Sequence, residues 1–186
     1  MKSEAWDYLY LYFSALDEIF LQFVGPYENA QSKPIAGASK GHDSSTGETL
    51  DLLPICEKIE ENIKQCHSYI KPLITKKELK YLISALIFHC DETVVTKKLD
   101  RHCIPKKSYQ WPSIQKKIAH CQNGGERFFR YLDEMLLHSR NYSLAIEVYF
   151  FCLSQGFVGC YFDDPEKIKA YLKRCTDAIS IRRLRI

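Results

Sequence analysis

Apolar residues return every three or four positions along most of this chain, and no stretch alternates with a period of two for more than a few residues. A chain so patterned has amphipathic helices to pack and no strands to pair, which predicts an all-α fold of about seven helices and no sheet. Trp6, Leu9, Phe13, Leu16, Phe20 and Phe23 form the first stripe, over residues 4–24, and Gly25-Pro26 is expected to end it. Residues 25–50 then lose all periodicity and fill with turn formers, so they read as a mobile loop within a single domain spanning 1–186. The Thr93–Thr96 stretch is locally β-branched but too short to make a strand.

The later helices carry their own punctuation. Leu52, Ile55, Ile59, Ile63, Cys66 and Ile70 mark a buried stripe that starts near Asp51, tolerates Pro54 in its first turn and stops at Pro72. Thr75 and Glu78 have capping-box spacing, ahead of a helix that is apolar on two faces and therefore central. Trp111-Pro112 opens a short helix, and Asn123 and Glu126 repeat the capping spacing before Phe128, Phe129, Leu132, Leu136 and Leu137. Residues 142–155 are apolar nearly all round and read as the core helix, too short and too charged to span a bilayer. Asp164-Pro165 opens the last helix.

Composition narrows the function classes. At 46% hydrophobic the chain can bury a sizeable core, and its net charge of +3, with cations and anions interleaved, argues against a nucleic-acid partner. The N-terminal apolar run is interrupted by Asp7, Asp17 and Glu18, unlike a secretory signal, so the chain is expected to be soluble and cytoplasmic. Its eight cysteines contain no Cys-x-x-Cys pair and are expected to be free thiols. Adjacent His-Cys pairs (His89-Cys90, His102-Cys103, His120-Cys121, and Cys66-His67 reversed) diverge on a helix, so no metal site and no cofactor is expected.

Three separated stretches, taken in order, carry a family pattern. They are Ala85–Val94, an apolar helix ending in Asp91-Glu92; Gly124-Gly125-Glu126-Arg127-Phe128-Phe129; and Glu147–Tyr161, which contains Gly156 and Gly159. Over about residues 50–180 they resemble the DotU/TssL family, also called IcmH, of type VI and type IVB secretion systems. The chain departs from the family pattern at Asn123, Val158 and Cys160, where Trp, a charged residue and Arg are usual. The resemblance implies two small helical bundles packed as a hook, followed by a C-terminal membrane helix, and a structural subunit with no catalytic residues. It implies an IcmF/TssM-type inner-membrane partner and baseplate components of the machine, with a homodimer also allowed. Arg182, Arg183 and Arg185 would then flank the cytoplasmic side of a membrane anchor following Ile186. The plainer reading is that they complement a helix C-terminus.

The resemblance places Asp91 and Glu92 in the groove between the bundles, as a partner-binding pair. Adjacent acids on a helix point about 100° apart, which disfavours a catalytic dyad and favours an exposed acidic rim. The alternative is a solvated helix end near Lys97 and Lys98, and on either reading reversal to Lys should leave the fold intact. Gly124, Gly125, Glu126, Glu147, Gly156 and Gly159 read as structural. Gly124-Gly125 lacks the strand and pattern of a phosphate loop, and Glu147 is expected to pair with Arg127 or Arg130. The rival function is a metal-dependent helical hydrolase using His89, Asp91 and Glu92, for which no second ligand pair is visible.

Overall fold

The computed structural model describes residues 2–31, 51–99 and 110–183. Among the described residues there are seven α-helices: α1 Lys2–Gln31, α2 Leu53–Ile70, α3 Lys76–Glu92, α4 Ile114–Lys117, α5 Gly124–Leu137, α6 Ser143–Ser154 and α7 Pro165–Arg183. No strand occurs among the described residues, as the helical periodicity predicts. A π-type segment, Thr93–Leu99, prolongs α3, and short 3-10 turns occupy Ser139–Asn141 and Gly159–Tyr161. The expected loop over 25–50 is helical at its start, because α1 runs through Gly25-Pro26 to Gln31. Proline forfeits one backbone hydrogen bond, but its fixed φ is a helical one, so it weakens a helix without always ending it. The remainder of that loop, 32–50, lies outside the described residues, as do residues 100–109.

The axis of the fold is α3 against α6, with α1 and α2 paired on one side and α5 and α7 on the other. These groups share one continuous apolar core. The α2 stripe is buried at every expected position from Leu52 to Ile70, and Leu79, Leu82, Ala85, Leu86 and Phe88 bury two faces of α3. On α1, Leu9, Leu16 and Phe20 are buried and Trp6 and Phe13 half-buried. Tyr12 is also buried, and its hydroxyl donates to the Leu86 carbonyl at 3.1 Å. The window Ser143–Tyr161 has the length and composition of a membrane span. Its continuous α-helix ends at Ser154, however, and Leu144, Ile146, Val148, Tyr149 and Cys152 are all buried within the fold.

Helix ends show which local signals hold. Thr75 Oγ1 accepts from the Glu78 N–H, and Asp164 Oδ1 from the Lys167 N–H, as their spacing predicts. Glu78 does not complete a capping box. Its Oε1 crosses to α6 and accepts from the N–H groups of Leu144 (2.8 Å) and Ala145 (3.3 Å), capping a helix 66 positions away. Asn123 likewise makes no side-chain cap on α5. Glu147 accepts from Trp6 Nε1 at 2.8 Å, so α1 supplies a partner where Arg127 or Arg130 was expected.

Burial raises the Glu78 carboxyl above its ordinary value of 4.5, opposed by its two backbone hydrogen bonds. A raised value means that the folded state holds the proton more tightly than the unfolded chain. The stability so gained is complete below the unfolded value and is lost as pH rises through the folded one. Glu78→Gln keeps an Oε1 acceptor for both N–H groups and removes the titration. In urea melts it should match the wild type at about pH 4 and exceed it at about pH 7. Lower stability at neutral pH would show instead that the ionised carboxylate helps the α6 N-terminus more than its burial costs.

The described cysteines are free thiols, six buried and one, Cys160, exposed. Burial pushes Cys66 and Cys175 up to about 12 and Cys90 well above its ordinary value, so little reactive thiolate forms in the core. A thiol reagent at about pH 8 should therefore modify Cys160 first among these seven, read by peptide mass mapping. Rapid modification of Cys90 or Cys152 in the native protein would contradict the packing.

Candidate functional site

The three sequence stretches meet at the C-terminal end of α3. Asp91 and Glu92 occupy its last two positions, and their divergence around the helix sends them to different segments. Asp91 is 5% exposed and faces α4. Its Oδ1 accepts from Trp111 Nε1 (2.9 Å) and the Ile114 N–H (2.8 Å), and its Oδ2 from Ser113 Oγ (2.8 Å) and the Gln115 N–H (2.9 Å). A four-residue helix cannot hold itself together in water, because nucleation costs more than one turn of hydrogen bonds returns. Asp91 is what fixes α4, satisfying N-terminal donors that its own N-cap, Ser113, leaves open.

Glu92 is half-buried and grips the other segment. Its Oε1 accepts from the Val158 N–H at 2.7 Å and its Oε2 from the Gly159 N–H at 2.8 Å. The expectation of two exposed carboxylates is thereby corrected. Both acids spend their oxygens on backbone and side-chain donors inside the fold, because the segments after residues 110 and 156 fold back over the end of α3. An exposed rim and a solvated helix end are both inconsistent with this placement.

Glycines allow the segments to close. Gly156, with φ 86°, ends α6 by sending its N–H to the Leu153 carbonyl, while the Phe157 N–H reaches Cys152. That paired pattern is the Schellman stop, and it turns the chain toward Glu92. Gly159 has φ 52°, and a Cβ there would lie 3.0 Å from the Gly125 Cα. A Cβ on Gly125 would lie 3.0 Å from the backbone of Gly159 and Cys160. Gly124 is tied by its N–H to Gln115 Oε1 at 2.8 Å, so α4 in turn positions α5. Glu126 stays at the exposed first turn of α5. Beneath the junction, Phe128 packs against Phe157 and Tyr149 with ring centroids 4.2 and 4.3 Å away.

A cleft of about 320 Å³ remains between these parts, lined by Asp91, Glu92, Val95, Thr96, Trp111 and Gln115 among others. Trp111, Ser113 and Gln115 were not singled out as site residues. Their signal is faint: a helix start after Trp-Pro that lacks an acidic cap of its own.

His89 does not join the acids. It is buried on the α1 side of α3, edge-on to Phe13 at 5.7 Å, with Nε2 3.4 Å from Thr93 Oγ1. The trio required by a hydrolase therefore does not converge. No group of three or more His, Cys, Asp or Glu among the described residues is placed to hold a metal.

The fold and junction define an all-α domain whose acidic motif knits its helices together. The family described as "Type VI secretion system protein DotU" matches residues 46–185, and the chain belongs to the DotU family. Its fold is similar to the cytoplasmic domain of TssL from Acinetobacter baumannii, with TM-score 0.68 and 21% identity over 96% of this chain and 98% of that one. It is also similar to DotU from Francisella novicida, with TM-score 0.60 and 18% identity over 87% and 96% of the two chains. No curated protein matches the chain.

Proposed function

We propose that this protein is a non-catalytic assembly subunit of a type VI secretion machine, at the cytoplasmic face of the inner membrane. It joins an IcmF/TssM-type membrane protein to baseplate components through protein–protein contacts. One observation carries the reading: the motif that marks the family is consumed in construction. The carboxylates of Asp91 and Glu92 are occupied by six donors of the fold. A general acid or base must instead keep its proton-transfer atom within reach of a substrate. Asp91 and Glu92 act in partner binding by shaping the cleft beside them and holding α4 and the 158–161 turn in register.

Deletion of the gene in its native cell should abolish secretion of the machine's tube protein, and the tagged chain should co-purify with the IcmF/TssM-type protein. Normal secretion after deletion, or purification without any machine component, would refute the proposal.

A further inference from the structure

A second groove adjoins the acidic junction through Phe88 and gathers cations beside apolar side chains. Between α3 and α5 runs a groove of about 780 Å³. Its apolar floor includes Ile83, Ile87 and Ile118, its rim carries Lys76, Lys80 and Arg127, and none of its lining residues is acidic. The cations and the isoleucines share one stripe of α3, since 76, 80, 83 and 87 follow helical spacing. Ile83 is only half-buried, at the groove wall.

The lysines sit where they are least favourable for the helix. Lys76 and Lys80 belong to the first two turns of α3, whose N-terminus carries the positive end of the helix dipole. Neither has an ion-pair partner among the described residues, Lys80 lying over the Tyr131 ring at 5.7 Å, whereas neighbouring Lys77 pairs with Glu134. Arg127, on the facing helix, has its Nε buried with no hydrogen-bond partner among the described residues. Three cations, one of them with an unsatisfied guanidinium N–H, thus surround an apolar trough on a chain whose net charge is only +3.

We infer that this groove binds an acidic amphipathic helix of a protein partner. Leucine-like side chains of the partner would lie over the half-buried Ile83 and Ile118, with the buried Ile87 beneath them, and its Asp or Glu would meet Lys76, Lys80 and Arg127. Such a helix presents apolar anchors at i, i+4 and i+7 with acids beside them, which matches the order of floor and rim. A bilayer cannot follow a concave floor. A nucleic acid would want a continuous cationic track with several exposed stacking rings, where the groove offers three separate cations, isoleucines and one half-buried ring, Tyr131. The inference deepens the assembly reading and rests on it, by giving one partner contact a chemistry.

The test uses the full chain and fluorescent helical peptides of about 18 residues. One peptide carries Leu anchors flanked by Glu, a second has every Glu replaced by Lys, and a third has Leu replaced by Ser. Fluorescence anisotropy at 150 mM salt should show saturable binding of the first, at least about tenfold tighter than of either other peptide. Lys80→Glu and Arg127→Gln should each weaken it about three- to tenfold, and Ile83→Asp should abolish it. Circular dichroism melts confirm that each variant is folded, and Lys80→Glu, being on the surface, serves if either other variant is not. Equal binding of the Glu and Lys peptides, unchanged binding by Lys80→Glu, or no binding would each overturn the inference. So would competition by anionic vesicles or duplex DNA as strong as by unlabelled peptide, or self-association of the chain lost in Ile83→Asp. Secretion after gene deletion is scored separately: if it fails while peptide binding does not discriminate, the groove inference falls and the assembly reading stands.

Discussion

Asp91→Ala should destabilise the protein by about 3–5 kcal/mol, against the 5–15 kcal/mol typical of a whole domain. The substitution strands four donors that meet at one carboxylate: an indole N–H, a hydroxyl and two backbone N–H groups. Each hydrogen bond to a charged acceptor is worth about 1.5–3 kcal/mol, and a buried donor left without an acceptor costs about 1–3. The sum is not reached, because Trp111, Ser113 and Gln115 are half-buried and α4 can loosen to admit water. A fall in Tm of roughly 10 °C follows for a chain of this size. Asp91→Asn should cost less, since one oxygen survives, though its amide nitrogen then faces donors. Reversal to Lys, harmless for an exposed rim, should prevent folding here. A wild-type Tm for Asp91→Ala would show that the α4 segment is held by something else.

Gly159→Ala should cost about 2–4 kcal/mol, through two separable terms. A left-handed φ of 52° penalises any L side chain, by about 1–2 kcal/mol. The added Cβ also meets the Gly125 backbone at 3.0 Å, which neither α5 nor the 158–161 turn can yield while Glu92 holds Val158 and Gly159. Gly125→Ala carries only the second term and should cost about 1–3 kcal/mol. The two substitutions strain one contact, so the double variant should be less destabilised than the sum of the singles. Denaturant melts of the three variants give the coupling directly; strict additivity would mean that the helix and the turn do not touch.

Local chemistry was legible at this junction and elsewhere. Thr75 and Asp164 cap their helices within three residues of chain. The α2 stripe needs only a period of 3.6 to be seen. The divergence of Asp91 and Glu92 also follows from helical geometry alone. The family pattern, in three ordered stretches, was visible without coordinates because those stretches carry the glycines, acids and aromatics that close the junction.

Polar partners were not legible in the same way. Glu78 looked like half of a local capping box and instead caps α6. Glu147 looked short of an arginine and receives the indole of Trp6, 141 positions earlier. Asp91 and Glu92 looked solvated and are walled in by donors 20 to 67 positions away. Every backbone N–H is chemically the same in a sequence, so nothing in the string says which carboxylate will reach which helix end. Periodicity, caps and glycine turns act over a few residues, and the order of amino acids states them outright. Which buried acid satisfies which orphaned donor depends on how helices stack in three dimensions, and that is settled only when apolar packing brings the segments together.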